Sequence, residues 1–128
     1  YGENYFRELE QDTIINILSK NKYSIISLGG GSFLNIKTRE HIKKNCISIW
    51  INADIDVIYN RISGSKNIRP IVSKLKSKRE LEVLLNKRNL TYKEADIKIE
   101  AGNLNKKSLI NNAIHQIDKY LEKNNESH

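Results

Sequence analysis

Three short isoleucine-rich segments, separated by stretches long enough to form helices, constrain the fold of this chain most strongly. They are residues 24–28, 47–51 and 97–99. β-Branched residues concentrated in short runs between turn signals are typical of buried strands. Because strands that alternate with helix-length segments need crossover connections, they are expected to run parallel. The sequence therefore predicts an α/β fold with a parallel sheet.

The remaining segments carry apolar residues at the spacing of amphipathic helices. Helices are predicted over residues 8–20, 38–44 with Thr38 as N-cap, 54–61 with Asp54 as N-cap, 77–87, and 105–121. We find no internal repeat and no linker that would divide the chain. One domain is therefore predicted over residues 1–121, and the polar residues 122–128 are predicted to form a flexible tail.

Residues 63–78 differ from the rest of the chain. They are polar and basic, show little periodicity and contain the only proline, Pro70. Loops of this length inside a compact domain are usually lids or binding loops. We therefore predict a lid here, and expect it to be the most mobile internal segment.

The composition narrows the class of partner. The net charge is +7, but 16 of the 22 basic residues are Lys, and Ile, Asn and Lys together make up 52 of the 128 residues. This pattern indicates lysines spread over solvated faces, and the clusters of aromatic and basic residues found in single-strand binders are missing. Nucleic acid is therefore not expected as a partner, and a membrane is not expected either, because no apolar run approaches ~20 residues. The single Cys46 fits a reducing cytoplasm.

The strongest indication of a binding site is the run Gly29, Gly30 and Gly31 directly after the first predicted strand. In open α/β sheets, ligands bind beyond the carboxyl ends of the strands. Glycines at that place have no Cβ, so a ligand can reach the backbone N–H groups. The simpler alternative is a flexible tight turn.

Two further features involve arginine. Arg7 offers a planar fork for a carboxylate, and Glu10, one helical turn later, could hold its guanidinium. Arg69 precedes Pro70 in the predicted lid, and phosphoryl-transfer enzymes often deliver one arginine from a mobile loop. The alternatives are an ordinary surface ion pair for Arg7 and a solvated loop charge for Arg69.

A fourth arginine, Arg88, closes the helix predicted over residues 77–87, where it could simply interact with the helix C-terminus. The three histidines show no metal-ligand spacing, and Cys46 is interpreted as a small core residue instead of a nucleophile. No metal ligand is therefore predicted within these residues.

In their order along the chain, these features resemble the shikimate kinase family. The resemblance covers residues 1–105 and rests on the motifs Gly2-Glu3-x-x-Phe6-Arg7-x-x-Glu10, Leu28-Gly29-Gly30-Gly31, Arg69-Pro70, and Arg88-x-x-x-Tyr92-x-x-Ala95-Asp96. Nucleoside monophosphate kinases share the fold but differ at residues 29–31. Gluconate kinase is a closer relative, but Phe6 and Arg7 together with the triple glycine suit a cyclic carboxylate better.

The resemblance implies a doubly wound parallel sheet of the P-loop nucleoside-monophosphate-kinase type and a set of substrate contacts. Arg7 and Arg88 would clamp the carboxylate of shikimate, and Glu10 would orient Arg7. The three glycines, Gly30 above all, would meet the hydroxyls and the ring.

The resemblance also implies contacts to ATP, the phosphoryl donor used with Mg²⁺. Arg69 would swing in with the lid to contact the phosphates, Arg61 would stack beside the adenine, and Asn105 would add a second contact near the adenine. The reaction implied is transfer of the γ-phosphate to the 3-hydroxyl of shikimate by a cytoplasmic monomer.

The sequence departs from the family pattern at its start. The P-loop motif G-x-x-x-x-G-K-[ST] does not occur, the chain has no Met, and it begins with Tyr1. We therefore expect the P-loop, the first strand and the Mg²⁺ ligands to precede these residues, and the 128-residue chain alone to be inactive. The alternatives are a related small-molecule kinase, such as gluconate kinase, and a truncated relic without catalytic activity.

Overall fold

The computed structural model describes residues 2–20, 24–63, 78–102 and 104–126. The chain divides into two compact units, residues 1–48 and residues 49–128. Apart from its two ends, the predicted lid lies outside the described residues, and so do Arg69 and Pro70. The single domain over residues 1–121 stays a prediction.

Among its described residues, the first unit contains two α-helices and, between them in the chain, a short 3₁₀ helix. Helix α1 spans Gly2–Lys20, a 3₁₀ helix spans Ser32–Leu34, and helix α2 spans Ile36–Asn45. Helix α1 packs against α2 and against the 3₁₀ helix. Because α1 begins six residues before its predicted start, it includes the whole segment that carries Arg7 and Glu10.

The start of α2 corrects one prediction. The N-cap is Asn35 instead of Thr38, and its side chain accepts a hydrogen bond from the backbone N–H of Thr38 at 3.1 Å. A capping side chain bonds the N–H two or three residues further on, and Asn is favoured over Thr in this role. Thr38 itself is buried within the first turn of the helix, with 1% of its surface exposed.

The strand predicted at residues 24–28 is wrong for this structure. These residues have no regular secondary structure, and the sheet of the described residues has two strands that do not include them. A strand is defined by backbone hydrogen bonds to a neighbouring strand, and an isoleucine-rich composition does not supply that neighbour. Ile25 is accordingly fully exposed.

Among its described residues, the second unit combines a parallel strand pair with three α-helices. Strand β1 spans Ile49–Asn52, α3 spans Ile55–Ser63, α4 spans Lys78–Tyr92, β2 spans Ile97–Glu100 and α5 spans Lys106–Glu126. β1 and β2 pair in parallel, with Ile49 opposite Ile97 and Asn52 opposite Glu100. The predicted α/β class with parallel strands is therefore confirmed.

Packing in this unit is centred on β2. Ile97 and Ile99 are buried, with 6% and 1% of their surfaces exposed, and α5 packs against this strand. On β1, Ile49 and Ile51 remain exposed. Trp50, between them, packs against Tyr92 with ring centroids 6.0 Å apart. The apolar core of the second unit therefore lies on the β2 side of the strand pair.

In the second unit, the predicted helix starts agree with the structure better than the predicted helix ends do. The backbone C=O of Asp54 accepts from Ile58 N–H at 3.1 Å, as expected for the residue that begins α3. However, α4 continues to Tyr92 and α5 to Glu126, each five residues past its predicted end. Backbone i→i−4 hydrogen bonds can continue a helix after its apolar stripe has ended, so the predicted tail begins with helical residues.

Candidate substrate site

The centre of the candidate site in the first unit is an ion pair on α1. Arg7 Nη1 donates a hydrogen bond to Glu10 Oε1 at 2.8 Å, and Arg7 Nη2 lies 3.8 Å from Glu3 Oε1. The Arg7 and Glu10 side chains are 25% and 18% exposed, so this is not the ordinary surface pair that the spacing alone would allow. The guanidinium also lies over the Phe6 ring, 5.3 Å from its centroid.

The glycine run forms a turn that leads into the 3₁₀ helix. Ser32 N–H donates to Gly29 C=O at 3.1 Å, and Leu34 N–H donates to Gly31 C=O at 3.2 Å. Arg39, on α2, fixes the far side of this turn. Its Nη1 donates to the C=O groups of Phe33 at 2.9 Å and Leu34 at 3.2 Å.

The Arg39 contact was missed by sequence reasoning. No motif or spacing marks Arg39, because its acceptors are backbone carbonyls that converge only when the turn and α2 have formed. The acceptors lie five and six residues before Arg39 in the chain. The turn that carries the glycines is therefore held by side-chain contacts as well as by its own backbone.

The structure brings the glycine turn against the Arg7–Glu10 pair. An ideal Cβ at Gly31 would lie 2.4 Å from Arg7 Nη2, and one at Gly29 would lie 3.3 Å from Glu10 Oε2. Gly30 lies between these two positions in the chain. Five of the predicted substrate residues thus form one cluster within the first unit. Their roles as ligands stay predictions.

Ser32 adds a polar group at the edge of this cluster. It is 2% exposed, and its Oγ makes no hydrogen bond to any described residue. The Oγ would lie 3.6 Å from a Cβ at Gly29. A buried hydroxyl without a partner costs about 1–3 kcal/mol, so this group is unusual in a site that is otherwise well paired.

Arg88 lies in the second unit, within α4. Its Nε is buried and makes no hydrogen bond to the residues that the structure describes. Because α4 has no basic residue in its last turn, Arg88 does not occupy the helix-terminal position that the sequence suggested. The convergence of Arg7 and Arg88 on one pocket stays a prediction, because the two residues belong to different units.

Two residues proposed to contact the adenine also lie in the second unit. Arg61 is exposed in the last turn of α3. Asn105 caps α5, since its Oδ1 accepts from Ser108 N–H at 2.8 Å. This capping role accounts for an Asn at position 105. The adenine contacts of Arg61 and Asn105 stay predictions.

The carboxyl ends of the two strands form a polar group that the sequence did not reveal. Asn52 Nδ2 donates to Glu100 Oε2 at 2.9 Å, and Lys98 Nζ lies 3.0 Å from Glu100 Oε1. The hydrogen bonds from Lys98 and then Asn52 lower the pKa of Glu100 below its usual value. A depression of about 230 Å³ begins at Asn52 and continues past Asp54 to Glu82 and Asn86 on α4.

Three further features of the described residues concern metal binding, the Cys46 thiol and membranes. Within them, no group of three His, Cys, Asp or Glu side chains could hold a metal ion. Burial raises the pKa of the Cys46 thiol, which agrees with its interpretation as a packing residue. Among the described helices, none is long and apolar enough to cross a membrane.

The second unit has the parallel strands of an α/β fold, and in the first unit a glycine turn lies against the partly buried Arg7–Glu10 ion pair. The parallel strands define the class, an α/β protein. Comparison with known proteins defines the family. The profile of the family described as "Shikimate kinase" matches residues 1–118. The chain belongs to the shikimate kinase family.

Individual relatives agree with this assignment. A shikimate kinase of Bartonella henselae is 33% identical over 122 residues, which cover 95% of this chain and 57% of that protein. A shikimate kinase of Rhizobium leguminosarum is 38% identical over 106 residues, covering 83% and 53%. The chain therefore spans little more than half the length of these curated relatives.

A solved structure supports the fold. The chain matches the crystal structure of shikimate kinase from Bacteroides thetaiotaomicron with a TM-score of 0.75 and 25% sequence identity, over 94% of this chain and 70% of that one. The α/β fold expected from the family resemblance is thereby confirmed.

Proposed function

We propose that the protein acts as a shikimate kinase, which transfers the γ-phosphate of ATP to the 3-hydroxyl of shikimate and yields 3-phosphoshikimate. Membership of the family and the names of the relatives support this assignment. The observation that carries it is the Arg7 guanidinium, held by Glu10 at 2.8 Å beside the glycine turn.

This arrangement suits a substrate with a carboxylate. Glu10 takes one donor of Arg7, at Nη1, whereas Nε and Nη2 make no hydrogen bond to the described residues. A guanidinium with two neighbouring donors in one plane binds a carboxylate bidentately, and a fixed guanidinium loses less freedom on binding. Arg88 is proposed as a second contact to the same carboxylate, because its buried Nε lacks a partner among the described residues.

The glycine turn is proposed to contact the rest of the substrate. Because Gly29, Gly30 and Gly31 have no Cβ, the ring of shikimate can approach the backbone of this turn. The buried Ser32 Oγ lies beside this turn and has no protein partner among the described residues. These residues are proposed to bind shikimate, the phosphoryl acceptor, and to orient it.

The proposed phosphoryl donor is ATP, used with Mg²⁺. Arg69 is the proposed catalytic residue, since a lid arginine would neutralise charge that develops on the transferred phosphoryl group. Arg61 and Asn105 are the proposed contacts near the adenine. The described residues offer no set of side chains for the metal, so no part of Mg²⁺ binding is assigned to them.

We also propose that the protein is a cytoplasmic monomer of one domain over residues 1–121, with a mobile lid at residues 63–78. Nucleic acid and membranes are not proposed as partners. The lysine-rich composition without clusters of aromatic and basic residues supports the part of this proposal that concerns nucleic acid.

The function is tested by measuring ADP formation by the whole protein with shikimate or gluconate as the acceptor, together with calorimetric binding of each acid. We expect turnover and binding with shikimate and neither with gluconate. Turnover with gluconate instead would assign the protein to a related small-molecule kinase. Failure to bind either acid would contradict the proposal. Arg7→Lys is the matched control in the same assays. It keeps the positive charge of residue 7 but removes the two parallel N–H donors that bind a carboxylate.

A further inference from the structure

Gly31 occupies a backbone conformation that does not require glycine. Its φ of −94° and ψ of −9° are close to those of the second central residue of a type I turn, a position that residues with a Cβ also occupy. Gly102 is different, because its φ of +48° lies in the left-handed region that favours glycine. The identity of residue 31 therefore needs another explanation.

The space around Gly31 supplies that explanation. A Cβ at this position would lie 2.4 Å from Nη2, 2.7 Å from Cζ and 2.9 Å from Nη1, all of them atoms of Arg7. Atoms that are not bonded do not approach so closely, since carbon contacts are favourable near about 3.5–4.0 Å. At Gly29, by contrast, the nearest atom to a Cβ is Glu10 Oε2 at 3.3 Å, and a small shift would relieve that contact.

We infer that Gly31 is a positioning residue for Arg7: the missing Cβ leaves the space in which the guanidinium lies. The guanidinium ends a flexible side chain, so a methyl group at residue 31 would move it and leave the backbone in place. Such a movement would disturb the 2.8 Å hydrogen bond to Glu10 and the contact with the Phe6 ring. Gly31 therefore positions the Arg7 guanidinium because it has no Cβ, and the flexibility of its backbone is not needed for this role.

The inference deepens the proposed function, and its consequence for catalysis rests on that function. If Arg7 binds the carboxylate of shikimate, Gly31→Ala displaces a group that contacts the substrate and none that contacts the transferred phosphoryl group. The KM for shikimate should then rise about 10-fold or more, while kcat changes less. A role of Gly31 as a direct contact to the substrate would not depend on Arg7.

A double-mutant cycle on the ligand-free whole protein tests the steric part alone. Gly31→Ala should lower the Tm in the wild-type background. In the Arg7→Ala background the methyl group has room, and replacing Gly by Ala restricts the unfolded chain, so the same change should leave the Tm unchanged or raise it. Gly29→Ala is the matched comparison, and it should lower the Tm less than Gly31→Ala.

A spectroscopic readout follows the guanidinium itself. Gly31→Ala should shift the NMR resonance of the Arg7 Nε–H group more than Gly29→Ala does. An equal fall in Tm in both backgrounds, or an unmoved Arg7 resonance, would overturn the inference. If Gly31→Ala alone does not fold, recovery of the folded state by adding Arg7→Ala supports the inference, and failure to recover it overturns it.

The two proposals can fail separately. The cycle and the Arg7 resonance use no ligand, so they report on Gly31 whatever the protein binds. If the wild type does not bind shikimate, the proposed function fails while the steric dependence on Arg7 can still hold. If the wild type binds shikimate and Gly31→Ala weakens binding equally with and without Arg7, the proposed function stands and the positioning role is wrong.

Discussion

The candidate substrate arginines of the two units differ in their hydrogen-bond partners. In the first unit, Arg7 has Glu10 at 2.8 Å, Glu3 at 3.8 Å and the Phe6 ring around its guanidinium. In the second unit, Arg88 has a buried Nε with no hydrogen-bond partner among the described residues. A paired arginine contributes to the stability of its unit, whereas an unpaired buried donor costs free energy. The fold therefore holds the Arg7 guanidinium in place, whereas the Arg88 Nε–H has no hydrogen-bond partner among the described residues.

The largest expected effect separates these two arginines. Arg7→Ala and Arg88→Ala should each weaken shikimate binding about 10- to 100-fold, since a hydrogen bond to a charged group contributes about 1.5–3 kcal/mol. Arg7→Ala should also lower the free energy of unfolding, by about 1 kcal/mol, because Glu10 loses its partner in a partly buried place. Arg88→Ala should not, because it removes an unpaired donor.

Calorimetric titration with shikimate and urea unfolding measure the two quantities on the same samples. Arg7→Lys and Arg88→Lys are the controls for charge. If both alanine variants were equally destabilised, the contrast between a paired and an unpaired arginine would be wrong.

The next effect concerns the residue that holds Arg7. Glu10→Gln keeps an acceptor for the guanidinium but removes the charge, so Arg7 should be held less firmly. We expect shikimate binding to weaken about 3- to 10-fold, which corresponds to about 0.7–1.4 kcal/mol. Binding as tight as in the wild type would show that Glu10 does not orient Arg7. Glu3→Gln, which removes the more distant carboxylate at 3.8 Å, is the matched control and should change binding less.

A smaller effect is expected at Arg39, which supports the glycine turn from α2. Arg39→Ala removes hydrogen bonds to the carbonyls of Phe33 and Leu34. We expect the free energy of unfolding to fall by about 0.5–1.5 kcal/mol. Hydrogen exchange of the Ser32 and Leu34 amides should become faster in the same variant. Unchanged exchange at both amides would mean that the turn holds its shape without Arg39.

The smallest effect is a pH dependence in the second unit, where Lys98 and Asn52 lower the pKa of Glu100. The folded state therefore releases this proton more readily than the unfolded chain. The resulting stabilisation is present above the usual pKa of Glu and is lost as the pH falls through the lowered value. Glu100→Gln should accordingly reduce the difference in Tm between about pH 7 and about pH 3. An unchanged difference would show that the exposed pair contributes nothing measurable.

Much of the second unit could be predicted from the sequence. Isoleucine-rich runs gave the strands near residues 47–51 and 97–99, and the parallel pairing followed from the helices between them. Asp54 and Asn105 stand at the helix starts that the sequence indicated. These features depend on local composition and spacing, so they can be read without knowing the tertiary structure.

In the first unit, local composition and spacing predicted less of the structure. Residues 24–28 have the composition of a strand but no strand partner among the described residues, and α2 uses Asn35 instead of Thr38 as its cap. The motif identified Arg7 and the glycines as a group. It did not show that Gly31 leaves room for the guanidinium, because that contact joins residues 24 positions apart in sequence.

The central claim, that the Arg7 fork binds the carboxylate of the substrate, is tested most directly by changing the carboxylate itself. Binding of shikimate is compared with binding of its carboxamide, in the wild type and in Arg7→Ala. We expect the carboxamide to bind the wild type at least about 10-fold more weakly than shikimate, and the two ligands to bind Arg7→Ala with more nearly equal affinity. The same preference for shikimate in both proteins would contradict the claim, since the carboxylate would then be recognised without Arg7.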